Sequence, residues 1–199
     1  MTAPTSKAER SDATRRALIG VARRLFAERG YAQTPIEEIV RRAEVTRGAL
    51  YHHFEDKRDL FRAVYEDVEE GFAQRLGETV MAEPDPALHL QVGCDAFLDA
   101  CLEPDMQRIA LLDAPSVLGW DAWKEVESRY GLALVVAALT GAIEAGVVER
   151  QPVEPLARLL LGALTEAGLS IARAGDVEAA RAEMGDTLGR LLEALRPRA

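Results

Sequence analysis

The tightest constraint on this chain lies between Gly30 and Lys57, where helix stop and start signals are crowded so closely that only short helices fit between them. Upstream, Leu18, Val21, Ala22, Leu25 and Phe26 recur at helical spacing, in a helix predicted to begin near Ser11 or Asp12, either of which can cap it. Residues 1–10 are read as a polar arm carrying Lys7 and Arg10. Gly30 ends this helix, because glycine takes the left-handed conformation without steric cost. In Thr34-Pro35-Ile36-Glu37 a second helix starts, with Thr34 as cap, Pro35 in the first turn and Glu37 closing a capping box. Its apolar stripe is Ile36, Ile39, Val40 and Ala43. After the turn Ala43-Glu44-Val45, Thr46 caps a third helix, which turns Leu50 and Phe54 inward with Val45. Three such helices enclose too little core to hold alone. The next helix must help, and it has the length to do so. From Asp56 to Ala82 the ladder Leu60, Val64, Val68, Phe72, Leu76 runs along one side, and about 26 residues span roughly 40 Å. It reads as a connecting rod between this head and whatever follows.

Two short helices joined by a tight turn, the second bearing Arg, Tyr and His, have the chemistry of a major-groove reader. Gly48 and Ala49 let the backbone approach base edges, and Arg47 can pair bidentately with a guanine, the commonest specific contact. Tyr51, His53 and Lys57 carry donors suited to the flanking phosphates, which fix register. Thr34 and the free amides at helix N-termini are further candidate donors. Tyr51-His52-His53-Phe54 can also be read as an aromatic corner between two helices. As metal ligands the paired histidines are poorly placed, since helical neighbours point about 100° apart. No metal and no cofactor is expected.

Beyond the rod, Pro84-Asp85-Pro86 breaks the helix and restarts another. Apolar helical segments then follow over residues 86–102, from Pro104 to a stop at Pro115, and from Trp120 to Ala145 with an interruption near Gly131. After a loop at residues 147–152 come two more, about 154–174 and 177–196. No segment alternates like a strand and no repeat stands out, so the fold class is all-α with about nine helices. The division predicted is a head over residues 1–55 and a helical body over 56–199, with 56–82 as the connecting helix. In the last two helices Leu156, Leu159, Leu160, Ala163, Leu164, Ala167 and Ile171, with Val177, Ala180, Met184, Leu188, Leu191 and Leu195, offer more apolar surface than one hairpin buries. A four-helix seam between two copies would bury it; the alternative is that both helices close the subunit's own core.

The net charge of −9 argues against nucleic acid until its distribution is considered. Residues 1–65 carry 13 Lys and Arg against 9 Asp and Glu, or +4, and the remainder carries 11 against 24, or −13. A basic head on an acidic body suits a protein that touches phosphate at one end only. Cys94 and Cys101, two helical turns apart, are too distant for a disulfide and read as small buried residues, with a thiol sensor or metal pair as the alternative. No apolar run approaches the roughly 18 residues of a membrane span, and the N-terminus lacks a signal-peptide core, so a cytoplasmic protein is expected.

Residues 14–65 resemble the N-terminal domain of the TetR family of bacterial repressors. The resemblance rests on Phe26, Gly30 and Tyr31, then Thr34 and Ala43, then Val45, Thr46, Gly48, Leu50, Tyr51, His53, Phe54, Lys57 and Leu60. It implies that Tyr51, His53 and Lys57 contact phosphates, that Arg47, Gly48 and Ala49 face bases, and that His52 falls at a variable position. Glu44 departs from the pattern, since many members carry glycine in that turn. The resemblance further implies a homodimer on a palindromic operator, released when a small molecule enters a cavity among the middle helices. Phe97, Cys101, Met106, Trp120, Trp123 and Tyr130 are candidate lining residues, with Asp95, Asp99, Arg108 or Asp113 orienting the ligand. An architectural DNA-binding dimer without effector is the alternative. An all-α enzyme has no support, for the chain holds no G-x-S-x-G, P-loop, H-E-x-x-H or E-x-x-H motif.

Overall fold

The computed structural model describes residues 7–197, and these form nine helices and no strand. Helix α1 runs Lys7–Arg29, α2 Ile36–Arg42, α3 Arg47–His53 and α4 Lys57–Ala82. A single 3-10 turn, Pro86–Leu88, leads into α5 at His89–Ala100. Helix α6 is a wide π-helical stretch, Met106–Asp113, continued as an α-helix through Ala114–Leu118. Helix α7, Trp120–Glu144, also changes pitch, passing from α at Trp120–Glu127 through π at Ser128–Leu132 to α at Ala133–Glu144. Helices α8 (Val153–Arg173) and α9 (Val177–Glu193) close the chain as a hairpin.

Four local expectations are corrected. Helix α1 starts four residues before Ser11, at Lys7, so Arg10 belongs to the helix and accepts a bond from the Thr14 hydroxyl through its carbonyl; residues 1–6 of the expected arm lie outside the described residues. Pro115 does not stop α6. It sits two residues into the α-helical continuation, and the Ala110 carbonyl five residues upstream accepts the Trp123 indole N–H instead. Thr34 does not cap α2, whose N-cap is Pro35 with no side-chain bond. The Thr34 side chain is fully buried, and its hydroxyl donates backward to the carbonyls of Gly30 at 2.8 Å and Leu25 at 3.3 Å, tying the turn to the end of α1. Finally, α7 and α8 are long and apolar enough by length and composition to cross a membrane. Their apolar surface has another destination here, since both line the cavity described below.

In the head, Leu18, Leu25, Phe26, Ile39, Leu50 and Phe54 are buried against Leu60 and Phe61 from the start of α4. Phe26 and Tyr31 meet the Phe61 ring edge-on, with centroids 5.2 and 5.1 Å away. The rod helix thus completes the head core, and further along it Val64, Val68 and Phe72 enter the core of the body. In the last two helices Leu160, Leu164, Ala167, Ile171 and Leu188 are buried within the subunit. Leu159 and Leu191 point outward, 74% and 54% exposed.

Candidate nucleic-acid interface and ligand cavity

Thr46 accepts the Ala49 amide at 3.1 Å and opens α3, as its sequence position suggests. Leu50 anchors the helix from below, which leaves Arg47, Gly48, Tyr51 and His52 exposed on one surface with Ala49 and His53 half-buried beside them. Among the described residues, a Cβ on Gly48 would meet only the Thr46 hydroxyl, so its face is open to a close approach. The Arg47 guanidinium is already engaged: it bonds Glu37 at 2.9 Å, reaches the Tyr51 hydroxyl at 3.4 Å and lies over the Tyr51 ring. In the turn, Glu44 has a φ of 56°, the only non-glycine in the left-handed region among the described residues. The departure noted in the sequence therefore falls on the one position that strains a side chain.

Two of the expected phosphate contacts have their side chains engaged elsewhere. Thr34 is buried. Lys57 is half-buried, with its ammonium bonded to the Tyr31 carbonyl at 2.5 Å and 4.1 Å above the Tyr31 ring; desolvation lowers its pKa. It clips α4 to the end of α1.

A second constellation joins head to body through α6. Arg23 of α1 binds Asp105, just ahead of α6, and Asp67 of α4. Asp113 accepts the Tyr31 amide at 2.6 Å and faces Arg108, whose guanidinium lies directly on Gly30. A Cβ built on Gly30, with φ at 78°, would come within 2.3 Å of that guanidinium. Arg58 completes the clasp by donating to the carbonyls of Val117 and Leu118 where α6 ends.

The opposite face of α6 borders a cavity of about 360 Å³ lined by α4, α5, α6, α7 and α8. Of the candidate lining residues, Phe97, Met106, Trp123 and Tyr130 border it. The remaining candidates are placed elsewhere. Cys101 is buried behind the wall against Gly168, and burial pushes both thiols up to about 12, so neither is a reactive thiolate. Trp120 is 62% exposed at the surface beside Trp123. Arg108 and Asp113 belong to the head junction, while Asp95 and Asp99 bind Arg181 of α9 on the outside. Glu69, His89, Glu127 and Thr165 also line the cavity and were missed. Glu127 had left a trace, because it interrupts the helical stripe Trp123, Tyr130, Leu134 with a charge.

The two halves of this arrangement match known proteins separately and together. Residues 18–64 match the model of bacterial regulatory proteins of the tetR family, and residues 88–195 match the tetracyclin repressor-like C-terminal domain. A crystal structure of a TetR-family transcriptional regulator from Pectobacterium atrosepticum superposes with a TM-score of 0.88 at 36% identity, covering 98% of this chain and 99% of that one. The transposon Tn10 TetC protein of Escherichia coli is 28% identical over 157 residues, 77% of this chain and 78% of that protein. The HTH-type transcriptional regulator AcrR of Shigella flexneri is 49% identical over 53 residues, 27% of this chain and 25% of AcrR. Similarity is thus highest where α1 to α3 build the reading head, and the fold agreement extends through the body. This chain belongs to the TetR family of bacterial transcriptional regulators and is not an enzyme.

Proposed function

We propose that the chain is a cytoplasmic repressor that binds a palindromic operator as a homodimer and leaves it when a small molecule enters the cavity. The observation carrying this reading is the double role of α6, which borders the cavity through Met106, Ala110 and Leu111 and grips the head through Arg108 and Asp113. A ligand that repositions α6 acts on both ends of the head junction at once. Release requires the ligand to prefer the non-binding arrangement, by a few kcal/mol for a clean switch. In this reading residues 1–55 are the DNA-binding unit and residues 56–199 the sensing and pairing unit, with α4 shared between them. Arg47, Gly48 and Ala49 face bases, Tyr51, His52 and His53 meet phosphate, and the outward faces of α8 and α9 form the seam with the second copy.

Selection of bound duplexes from a random pool tests the DNA half. A two-fold symmetric site is expected, with Arg47→Ala altering the preferred bases and Tyr51→Phe weakening binding to all sequences. Operator binding that survives Tyr51→Ala combined with Arg47→Ala at physiological salt refutes this docking. An architectural dimer without effector would bind the same site, yet no cavity ligand would release it.

A further inference from the structure

The cavity wall is apolar almost throughout, and its exceptions cluster at one end. Glu69 of α4 and Glu127 of α7 both line it. Glu127 is compensated by Lys124 and by the Thr165 hydroxyl, both of which donate to its carboxylate. Among the described residues, Glu69 has no such cation. The group that meets it is the Tyr65 hydroxyl of its own helix, which also reaches the Trp123 carbonyl at 3.3 Å. Facing it from the other elements are Glu127, with Lys124 behind it, from α7 and the Cys101 thiol from the turn after α5. His89 of α5 also lines the cavity and is held by the Glu83 carbonyl. A carboxylate withdrawn from water beside a second carboxylate is unfavourable unless a positive charge joins it. The walls suit such a charge, because Phe72, Phe97, Trp123 and Tyr130 supply aromatic rings that attract cations and cover apolar surface.

We infer that the ligand of this cavity is a lipophilic cation, an amine or quaternary ammonium whose positive centre sits beside Glu69 and Glu127 and whose apolar body lies along the aromatic walls. This rests on the reading of the cavity as the effector site. Lining residues on α4 extend from Glu69 to Met81, about 18 Å along the helix, so an elongated body fits. Desolvation and the charge of Glu127 push the Glu69 carboxyl up to about 7, so near neutral pH the empty cavity holds it partly protonated. A cation favours the ionised form, and its binding therefore strengthens as pH rises through that value, whereas a neutral ligand gains nothing.

The test uses the full chain carrying Trp120→Phe, which leaves Trp123 in the cavity wall as the reporting indole. Decyltrimethylammonium, 1-decanol and decanoate are titrated at pH 6 and pH 8. The ammonium is expected to bind at least tenfold tighter than decanol at pH 8, with its affinity falling about tenfold at pH 6 as Glu69 is protonated. E69Q should abolish both the preference and the pH dependence while keeping decanol binding, which also reports an intact fold; H89Q should keep both. Equal binding of ammonium and decanol at pH 8, tighter binding of decanoate, no binding of the cation, or a preference that survives E69Q overturns the inference. The same titrations with labelled operator separate the two readings. A cation that binds without releasing DNA keeps the cavity assignment and refutes effector release. A neutral compound that alone binds and releases DNA refutes the cation and keeps the release.

Discussion

At Glu44 the turn between the two reading helices requires a side chain to adopt a left-handed backbone, which costs about 1 kcal/mol for a residue with a Cβ. Glu44→Gly should raise the thermal midpoint slightly, the relief being partly offset by the greater chain entropy of glycine. The same change removes a negative charge near the phosphates, and duplex affinity should rise about two- to threefold at low salt. Added salt should erase that gain, which an anisotropy titration at two ionic strengths would read. Glu69 gives the second prediction at this scale. Its folded pKa lies above the ordinary carboxylate value, so the folded protein holds a proton that the unfolded chain releases between pH 4.5 and about 7. Stability therefore declines as pH rises through that window, by on the order of 3 kcal/mol for the full shift. Glu69→Gln should raise the unfolding midpoint at pH 8 and leave it nearly unchanged at pH 4.5. Thr34 illustrates what sequence cannot decide about a residue. Its position before Pro35 is that of a cap, but the chain folds back on the end of α1, where the Gly30 carbonyl is the nearer acceptor.

In the proposed release mechanism, helix α6 is the element on which coupling depends. Asp113→Ala removes the acceptor for the Tyr31 amide and the partner of Arg108, and should cost about 1–2 kcal/mol of stability. Its more telling effect should be on response. Operator affinity should stay within a few-fold of the parent, while the ligand concentration needed for half-release rises, measured by anisotropy on the same DNA. Much at this scale was legible in the sequence. Helix periodicity located the nine helices, the Thr46 cap holds as expected, and the break near Gly131 is the π turn of α7. The junction was not legible, because Arg108, Asp105 and Arg58 look like ordinary surface charges until α6 is laid against α1 and α4. The cavity was half legible for a related reason. Apolar lining follows helical periodicity, but whether Trp120 or Trp123 turns inward depends on how the wide turns rotate α6 and α7, and no local pattern records that rotation.

For the whole molecule, the outward Leu159 of α8 and Leu191 of α9 lie on the face through which two copies would meet. Leu159→Glu with Leu191→Glu should yield monomers by sedimentation and reduce operator affinity on the order of 100-fold or more, since two linked heads gain far more than one. A single head should retain weak, strongly salt-dependent binding. The ion pair between Arg47 and Glu37 has a consequence for how such a dimer finds its site. Off DNA Arg47 is held by a carboxylate 2.9 Å away, so in the proposed docking the protein would travel over random sequence on phosphate contacts with this arginine sheathed. A guanine offering two acceptors can displace Glu37, whereas a lone acceptor competes poorly against it. If Arg47 reads bases as proposed, Glu37 acts as a counterweight that shortens dwell time on wrong sequences. Glu37→Gln should lengthen residence on nonspecific duplex more than on operator, and a single-molecule search assay would show it as slower arrival at the correct site.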